Sequence, residues 1–294
     1  MINFRYHVVS IIGIFIALAV GVVLGAGPLQ RSINAGMNPS SSQAASDPVL
    51  SAQAEAEAAG LKALASSTLS GSLTGTSVAL VVLPGASDDD VSAIRSTLTD
   101  AGASVVGRVT LTDNWQSTSM SQYRTTLATT LASHLPSGAA TTASSDGVVG
   151  YSIVQVLTST GAETDLLRQI LTDKSTPLMT IDEDPAGKAT TLVAVGARAQ
   201  STTSTQASVA ASSDAWIGLG LAVGSTSGVV VGDASSREAM ISQIRTSGTA
   251  VTTVDSVGTT LASVDTALAL STASSGARAF GVGNGAQSVI PSSK

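Results

Sequence analysis

The sequence contains no cysteine, which excludes disulfides, zinc–thiolate sites, iron–sulfur clusters and cysteine nucleophiles. Charged residues make up only 12% of the 294 residues, about half the share found in an ordinary soluble domain. Basic residues number 14 against 20 acidic ones, and the net charge of −6 argues against a nucleic-acid-binding surface. We therefore expect no nucleic-acid partner. The hydrophobic share of 43% is enough to bury a core, and the length allows one large domain or two smaller ones.

A long uncharged apolar run lies near the N-terminus. Residues 7–30 contain no Asp, Glu, Lys or Arg, and residues 8–26 would form a helix that is apolar on every side. At 1.5 Å per residue this helix would span roughly 28 Å, close to the ~30 Å hydrocarbon core of a bilayer. The run predicts a single transmembrane helix. Because Arg5 and the α-amino group precede it, we expect a single-pass protein of the cell membrane with its N-terminus in the cytoplasm and its C-terminal domain outside.

The alternative for this segment is a cleaved signal peptide. Residues 24–26, Leu-Gly-Ala, have the small side chains of a cleavage site. The apolar run is longer than the roughly 7–15 residues typical of a signal peptide, which favours a retained anchor. Residues 215–223 are also apolar, but they are too few to span a membrane and are expected in a buried helix.

The composition divides the rest of the chain into three parts. Residues 1–26 are the expected anchor, residues 27–74 a Ser/Ala-rich linker with a short helix, and residues 75–294 an extracytoplasmic α/β domain. The helix is expected over residues 49–67, where two heptads at most are available, fewer than a coiled coil needs. Four apolar residues of this helix fall roughly on one side: Leu50, Ala54, Leu61 and Leu64.

The expected domain alternates strands with helices. Residues 78–83 form a continuous apolar run typical of a strand buried on both faces, and after a turn at Pro84–Gly85 a helix with Val91, Ile94 and Leu98 leads to a strand over residues 103–111. Further strands are predicted near residues 177–181, 190–195, 228–231, 250–254 and 277–282. Further helices are predicted near residues 119–135, 148–159, 163–172, 238–245 and 258–270. The alternation predicts an α/β fold with a mostly parallel sheet covered on both faces.

Two acidic clusters follow predicted strands and are the candidate metal ligands: Asp88, Asp89 and Asp90, and Asp182, Glu183 and Asp184. Carboxylates grouped in a loop suit Mg²⁺ or Ca²⁺. The alternative for the first cluster is capping of the following helix and complementing its dipole, whereas Pro185 marks the second as a turn. If both clusters met at the carboxyl end of one sheet, they would form a crevice able to hold a metal or another ligand.

The sequence offers few copper ligands and no catalytic constellation. Copper prefers Cys and Met sulfur or imidazole nitrogen, but the two histidines and the methionines are scattered: His7, His134, Met37, Met120, Met179 and Met240. Residues 224–228 have Thr where a serine hydrolase would have its nucleophile. Residues 281–285 lack the context of a dinucleotide-binding loop, so their glycines are expected to allow positive φ or close packing. We expect no catalytic residue, no cofactor, no intrinsic high-affinity copper site and no enzymatic activity.

The two ends of the chain resemble a known family. Residues 1–29, MINFRYHVVSIIGIFIALAVGVVLGAGPL, closely resemble the opening of the actinobacterial MctB-like copper-transport family. Residues 280–286, Phe-Gly-Val-Gly-Asn-Gly-Ala, resemble the aromatic-Gly-Val-Gly-x-Gly-Ala ending of that family, and residues 78–111 are also similar to it. Members usually carry a longer, charged coiled-coil segment after the anchor, which is shortened here. The resemblance implies copper homeostasis or efflux at the cell envelope.

Two functions therefore remain as hypotheses. The first, implied by the resemblance, is copper homeostasis or efflux. The alternative is a membrane-anchored, non-catalytic regulator or scaffold of cell separation or cell-wall remodelling, since the family includes members tied to cell separation. Either function would involve the membrane through residues 8–26 and an envelope protein partner, and a homo-oligomer is left open. An enzymatic function would require the acidic clusters to form a metal site.

Overall fold

The computed structural model describes residues 48–138, 143–199, 210–272 and 276–291. The expected anchor, the alternative cleavage site, His7 and Met37 lie outside these residues. No helix within the described ranges is long and apolar enough to cross a membrane. The chain divides into two compact units, Met1–Ala54 and Glu55–Lys294. The strands and candidate sites considered below belong to the second unit.

A seven-stranded mixed sheet forms the centre of this unit. Its strands are β1 (Ser77–Val82), β2 (Ser104–Leu111), β3 (Met179–Glu183), β4 (Thr191–Val195), β5 (Val229–Val231), β6 (Thr252–Val254) and β7 (Ala279–Phe280). Their order across the sheet is β3-β2-β1-β4-β5-β6-β7. The β2–β3 pair is antiparallel and the other neighbouring pairs are parallel. The prediction of an α/β fold with a mostly parallel sheet is confirmed.

The antiparallel edge strand differs from the expected parallel arrangement for a geometric reason. The first residue of β3, Met179, pairs with Leu111, the last residue of β2. The chain thus enters β3 at the carboxyl end of β2 and can only run back along it. Arg108 is accordingly the β2 partner of Glu183, so the end of β3 lies beside the middle of β2.

Nine helices lie wholly within the described residues. They are α1 (Pro48–Leu69), α2 (Asp88–Asp100), α3 (Asp113–Gln116), α4 (Ser121–Ala132), α5 (Ser145–Thr158), α6 (Ala162–Leu171), α7 (Ser213–Gly224), α8 (Met240–Thr246) and α9 (Thr260–Ser271). The bounds agree with the predicted ones to within a few residues, except that the helix predicted over residues 119–135 is shorter. A 3₁₀ turn over Thr118–Met120 precedes α4, which ends at Ala132.

Helices cover both faces of the sheet, and the residues of β1 alternate between them. Ala79 and Val81 pack in a core cluster with α3 to α8, whereas Val78, Leu80 and Val82 pack in a second cluster with α1, α2 and α9. All five side chains are buried, as predicted for a strand covered on both faces. Complete burial of one such Val or Leu side chain stabilises the fold by about 1.5–3 kcal/mol.

Two glycines allow a close crossing of α5 and α7. A Cβ atom on Gly150 would lie 2.6 Å from the carbonyl oxygen of Gly218, and one on Gly218 would lie 2.4 Å from the carbonyl carbon of Asp146. The apolar residues 215–223 form most of α7, and the predicted buried helix is confirmed.

On α1 the buried positions are Ala65 and Leu69, whereas Leu64, expected on the apolar side, is exposed.

Candidate functional site

The strand order reverses between β1 and β4, where open α/β sheets commonly hold ligands at the carboxyl ends of the strands. Here an internal ion pair lies at that point. The guanidinium group of Arg198, three residues after β4, donates hydrogen bonds to both carboxylate oxygens of Asp90, at 2.7 and 2.6 Å. Asp90 lies in the first turn of α2 and is buried. Because the first turn of α2 already carries three carboxylates, it does not favour an anionic ligand.

The two acidic clusters come together through one arginine rather than around a cavity. Arg108 of β2 donates to Asp88 at 2.6 Å, and its Nε atom lies 3.3 Å from an oxygen of Asp182. Because β3 is antiparallel, Asp182 lies beside the middle of β2 rather than at the carboxyl end where Leu111 lies. The two clusters thus meet around the guanidinium group of Arg108, a cation supplied by the protein, and the condition for a ligand crevice at the carboxyl end of the sheet is not met.

The remaining carboxylates of the second cluster also have arginine partners. Glu183 pairs with Arg95 of α2. Asp184 accepts two hydrogen bonds from Arg168 of α6, at 2.5 and 3.1 Å, and a third from the backbone N–H of Ala186. The hydrogen bond from Arg168, followed by that from Ala186, lowers the pKa of Asp184 below its ordinary value.

Five of the six candidate carboxylates therefore balance arginines, and the sixth, Asp89, is exposed on α2. A cation binding at either cluster would have to displace a guanidinium group that already neutralises the carboxylates. Throughout the described ranges, no group of three or more His, Asp or Glu residues is arranged to hold a metal ion.

The candidate copper ligands lie apart from one another. The Nδ1 atom of His134, two residues after α4, contacts Glu163 at the start of α6. Met179 and Met240 are buried in the core cluster on the α5 face of the sheet, and Met120 lies in the 3₁₀ turn. Among the described residues, these side chains thus lie in separate parts of the fold and do not form a shared set of ligands.

The glycine-rich segment near the C-terminus surrounds a buried carboxylate. Asp255 directly follows β6 and is 1% exposed. Its Oδ1 atom accepts hydrogen bonds from the backbone N–H of Val282 at 2.9 Å and from the hydroxyl of Ser256 at 2.7 Å. Its Oδ2 atom accepts from the backbone N–H of Gly283 at 2.9 Å and from Arg245 at 2.9 Å. We call Asp255 with these four donors the Asp255 nest.

Two glycines of the segment are required by this arrangement. Gly281 has a φ of 120°, and a Cβ atom there would lie 2.1 Å from the Oδ1 atom of Asp255. A Cβ atom on Gly283 would lie 2.7 Å from the side chain of Ala234. The expectation that these glycines allow positive φ and close packing is confirmed, and residues 280–286 are explained as a carboxylate-binding turn.

Arg245 connects the nest to the neighbouring strands. In addition to Asp255 it donates to Thr253 Oγ1 in β6 at 2.9 Å and to the carbonyl oxygens of Phe280 and Asn284, each at 2.8 Å. Burial lowers the pKa of Arg245, although the hydrogen bond and charge of Asp255 act in the opposite direction. Burial raises the pKa of Asp255, but the four hydrogen bonds outweigh it and hold that pKa below its ordinary value. The carboxyl group of Asp255 therefore stays ionised at neutral pH.

A crevice of about 500 Å³ lies over the nest, at the carboxyl ends of β5, β6 and β7. Its polar groups are already hydrogen-bonded within the protein. Asp233 accepts from the backbone N–H and the hydroxyl of Ser235, and the side-chain amide of Asn284 donates to the carbonyl of Ala234.

A second groove of about 350 Å³ lies between α1, α2 and α9 and is lined by Lys62, Asp89, Asp100 and Arg198 among others. Among the described residues, neither the crevice nor the groove contains a nucleophile hydrogen-bonded to a histidine base.

Sequence reasoning did not identify Asp255 or Arg245. Asp255 follows a predicted strand, as both acidic clusters do, and this position was the available signal. Nothing in the sequence indicates that Arg245, ten residues earlier, and Val282, 27 residues later, meet the same carboxylate.

Comparison with known proteins places the chain in a family. A search of curated proteins finds no match. A family model described as "Copper transport outer membrane protein, MctB" matches residues 1–291, which is nearly the whole chain and includes both ends that carry the resemblance. The chain therefore belongs to the MctB family of copper transport outer membrane proteins.

Proposed function

We propose that this protein acts in copper homeostasis or efflux at the cell envelope, with copper as its cargo, and that it has no high-affinity copper site of its own. The family match over residues 1–291 carries this proposal, because it supports a copper-transport-related function and an envelope location in general. The arrangement of the side chains supports the second part.

The available ligands argue for indirect handling of copper. The sequence has no cysteine and only two histidines. The methionines Met179 and Met240 are buried in the core, where their sulfur atoms serve packing. Arginines neutralise most of the candidate carboxylates, and a guanidinium group is not a metal ligand. We infer that the domain binds a partner protein of the envelope and catalyses no reaction.

The proposed placement follows from the sequence. The uncharged residues 8–26 would anchor the chain as a single-pass protein of the cell membrane, with Arg5 on the cytoplasmic side and the α/β domain outside. Such a tether would hold the domain close to a partner in the same membrane. The alternative of a cleaved signal peptide is distinguished by N-terminal sequencing of the mature protein.

The test is the copper content of cells grown under copper load. A strain lacking the protein is compared with its parent and with the same strain complemented by the wild-type gene, and zinc is measured in the same samples as the control metal. We expect copper to accumulate on deletion and to return to the parental level on complementation, with zinc unchanged. Unchanged copper would contradict the proposal and would favour the regulator or scaffold of cell separation or wall remodelling.

A further inference from the structure

Helix α9 carries a carboxylate in the interior of the protein. Asp265 is 0% exposed and belongs to α9, whose apolar side chains pack in the same core cluster as those of β5 and β6. Within the described residues, neither of its oxygens has a hydrogen-bond partner. The hydroxyl of the adjacent Thr266 donates instead to the carbonyl oxygen of Ala262. A buried carboxylate is ordinarily paired or hydrogen-bonded, so this arrangement favours the neutral acid.

The charged groups around α9 do not neutralise the carboxylate of Asp265. The helix packs against α2, β5 and β6. Strand β5 consists of three valines, and β6 is followed by Asp255, whose negative charge acts on Asp265. The nearby cation Arg245 is already bonded to Asp255. The charged side chains of α2, together with those of the groove beside α9, are Asp88, Asp89, Asp90, Arg95, Asp100, Lys62 and Arg198.

The charged groups of α2 and the groove are directed elsewhere or exposed. Asp90 bonds Arg198, and Arg95 bonds Glu183. Asp89 and Asp100 are exposed. The pKa of Asp265 is raised by burial first and by the charge of Asp255 second, and not by any of these groups.

We propose that Asp265 is a pH-sensitive lock, in which the neutral acid holds α9 docked and loss of its proton favours undocking of the helix. Burial and the neighbouring Asp255 raise the pKa of Asp265 to about 7. In an undocked helix the carboxyl group would return to its ordinary pKa of about 3.9. Between these two values the docked helix holds a proton that the undocked helix does not. Undocking therefore becomes up to about tenfold more populated for each unit that the pH rises, and the increase stops above about 7.

The experiment measures local opening of α9 in the full-length protein, purified in detergent. Hydrogen–deuterium exchange is followed at pH 5, 6, 7 and 8 and corrected for the intrinsic pH dependence of amide exchange. Helix α5, which packs on the opposite face of the sheet, serves as the internal reference. We expect opening of α9 relative to α5 to rise about tenfold per pH unit from pH 5 to 6, less steeply toward pH 7, and to change little from pH 7 to 8.

A matched pair of variants identifies the residue responsible. Asp265→Asn keeps the shape but cannot ionise, so the pH dependence of α9 opening should disappear. Asp100→Asn changes an exposed carboxylate of α2 and should leave the dependence intact. Opening that does not change with pH in the wild-type protein, or that changes equally in the Asp265→Asn protein, would overturn the proposal.

A second measurement needs no variant at position 265 and covers the case in which Asp265→Asn does not fold. Infrared spectroscopy of the wild-type and Asp100→Asn proteins detects the carbonyl stretch of a protonated carboxylic acid. We expect one such band to persist at pH 6 in both proteins and to vanish as the pH rises above about 7. A spectrum without a protonated carboxyl group at pH 6 would show that Asp265 is ionised while docked and would refute the lock.

Discussion

Replacing Asp255 by alanine should strongly destabilise the second unit. The substitution removes the acceptor that holds Arg245 and the two backbone N–H groups of Val282 and Gly283. Arg245 has only 7% of its side chain exposed and would remain in the interior without its counterion. Its three other hydrogen bonds, to Thr253 and to two carbonyl oxygens, do not supply a negative charge.

The expected loss of unfolding free energy is about 3–5 kcal/mol, the cost of removing one partner of a buried ion pair. This is a large part of the roughly 5–15 kcal/mol that stabilises a typical domain. Asp255→Asn keeps an acceptor for the backbone N–H groups and should cost less than Asp255→Ala. The matched control is Asp233→Ala in the same crevice, where only local hydrogen bonds to Ser235 are lost, and it should cost about 1 kcal/mol.

The assay is urea unfolding of the full-length protein in detergent, followed by tryptophan fluorescence. Both tryptophans of the sequence, Trp115 and Trp216, lie in the second unit, so the signal reports on its unfolding. With a urea dependence of about 3 kcal/mol per molar, Asp255→Ala should lower the midpoint by about 1–1.7 M. A midpoint within ~0.3 M of that of the Asp233→Ala protein would refute the reasoning, because it would mean that the nest does not hold the C-terminal segment in place.

Three further outcomes are expected. Gly218→Ala should lower the free energy of unfolding by about 1–3 kcal/mol, because its Cβ atom would lie 2.4 Å from the backbone of Asp146. Gly60→Ala at an exposed position of α1 should raise that free energy by about 0.5–1 kcal/mol. The midpoints of urea unfolding check both. The half-exposed Asp184–Arg168 pair should contribute less than about 1 kcal/mol to the free energy of unfolding. This contribution should be present above the ordinary carboxyl pKa and should be lost as the pH falls through the lowered pKa of Asp184. The difference in unfolding free energy between the wild-type and Arg168→Met proteins, followed across acidic pH, measures it. Calorimetric titration of the purified full-length protein with Cu(I) or Cu(II) should show no high-affinity binding, and a tight stoichiometric site would contradict the proposed indirect role.

Much of the sheet could be predicted because its strands are short apolar runs between helix caps and glycine stops. Residues 78–83 show this directly, since every side chain of β1 after Ser77 is buried and the run is apolar throughout. The direction of β3 could not be predicted in this way. It depends on where the chain emerges from α6 relative to Leu111, which is a property of the packed helices and not of the residues of β3.

The candidate site was only partly predictable. The acidic residues after β1 and in β3 were identified from their position, but their partners Arg95, Arg108 and Arg168 are distant in sequence and carry no local signal. The glycines of residues 280–286 correctly indicated close packing. The reason for that packing, the carboxylate of Asp255, becomes visible only when the strand order is known.

The measurement that tests the central claim most directly is cellular copper in a deletion strain that carries a chain stripped of candidate copper ligands. In this chain both histidines are replaced by Gln, and Met37, Met120, Met179 and Met240 by Leu, which at the buried positions keeps the volume close to that of Met. Urea unfolding first establishes that the stripped chain folds. Our account predicts that wild-type and stripped chains lower the copper content of the deletion strain equally. A folded, stripped chain that leaves copper elevated, while the wild-type chain restores it, would contradict the claim that copper is handled without ligands from this protein.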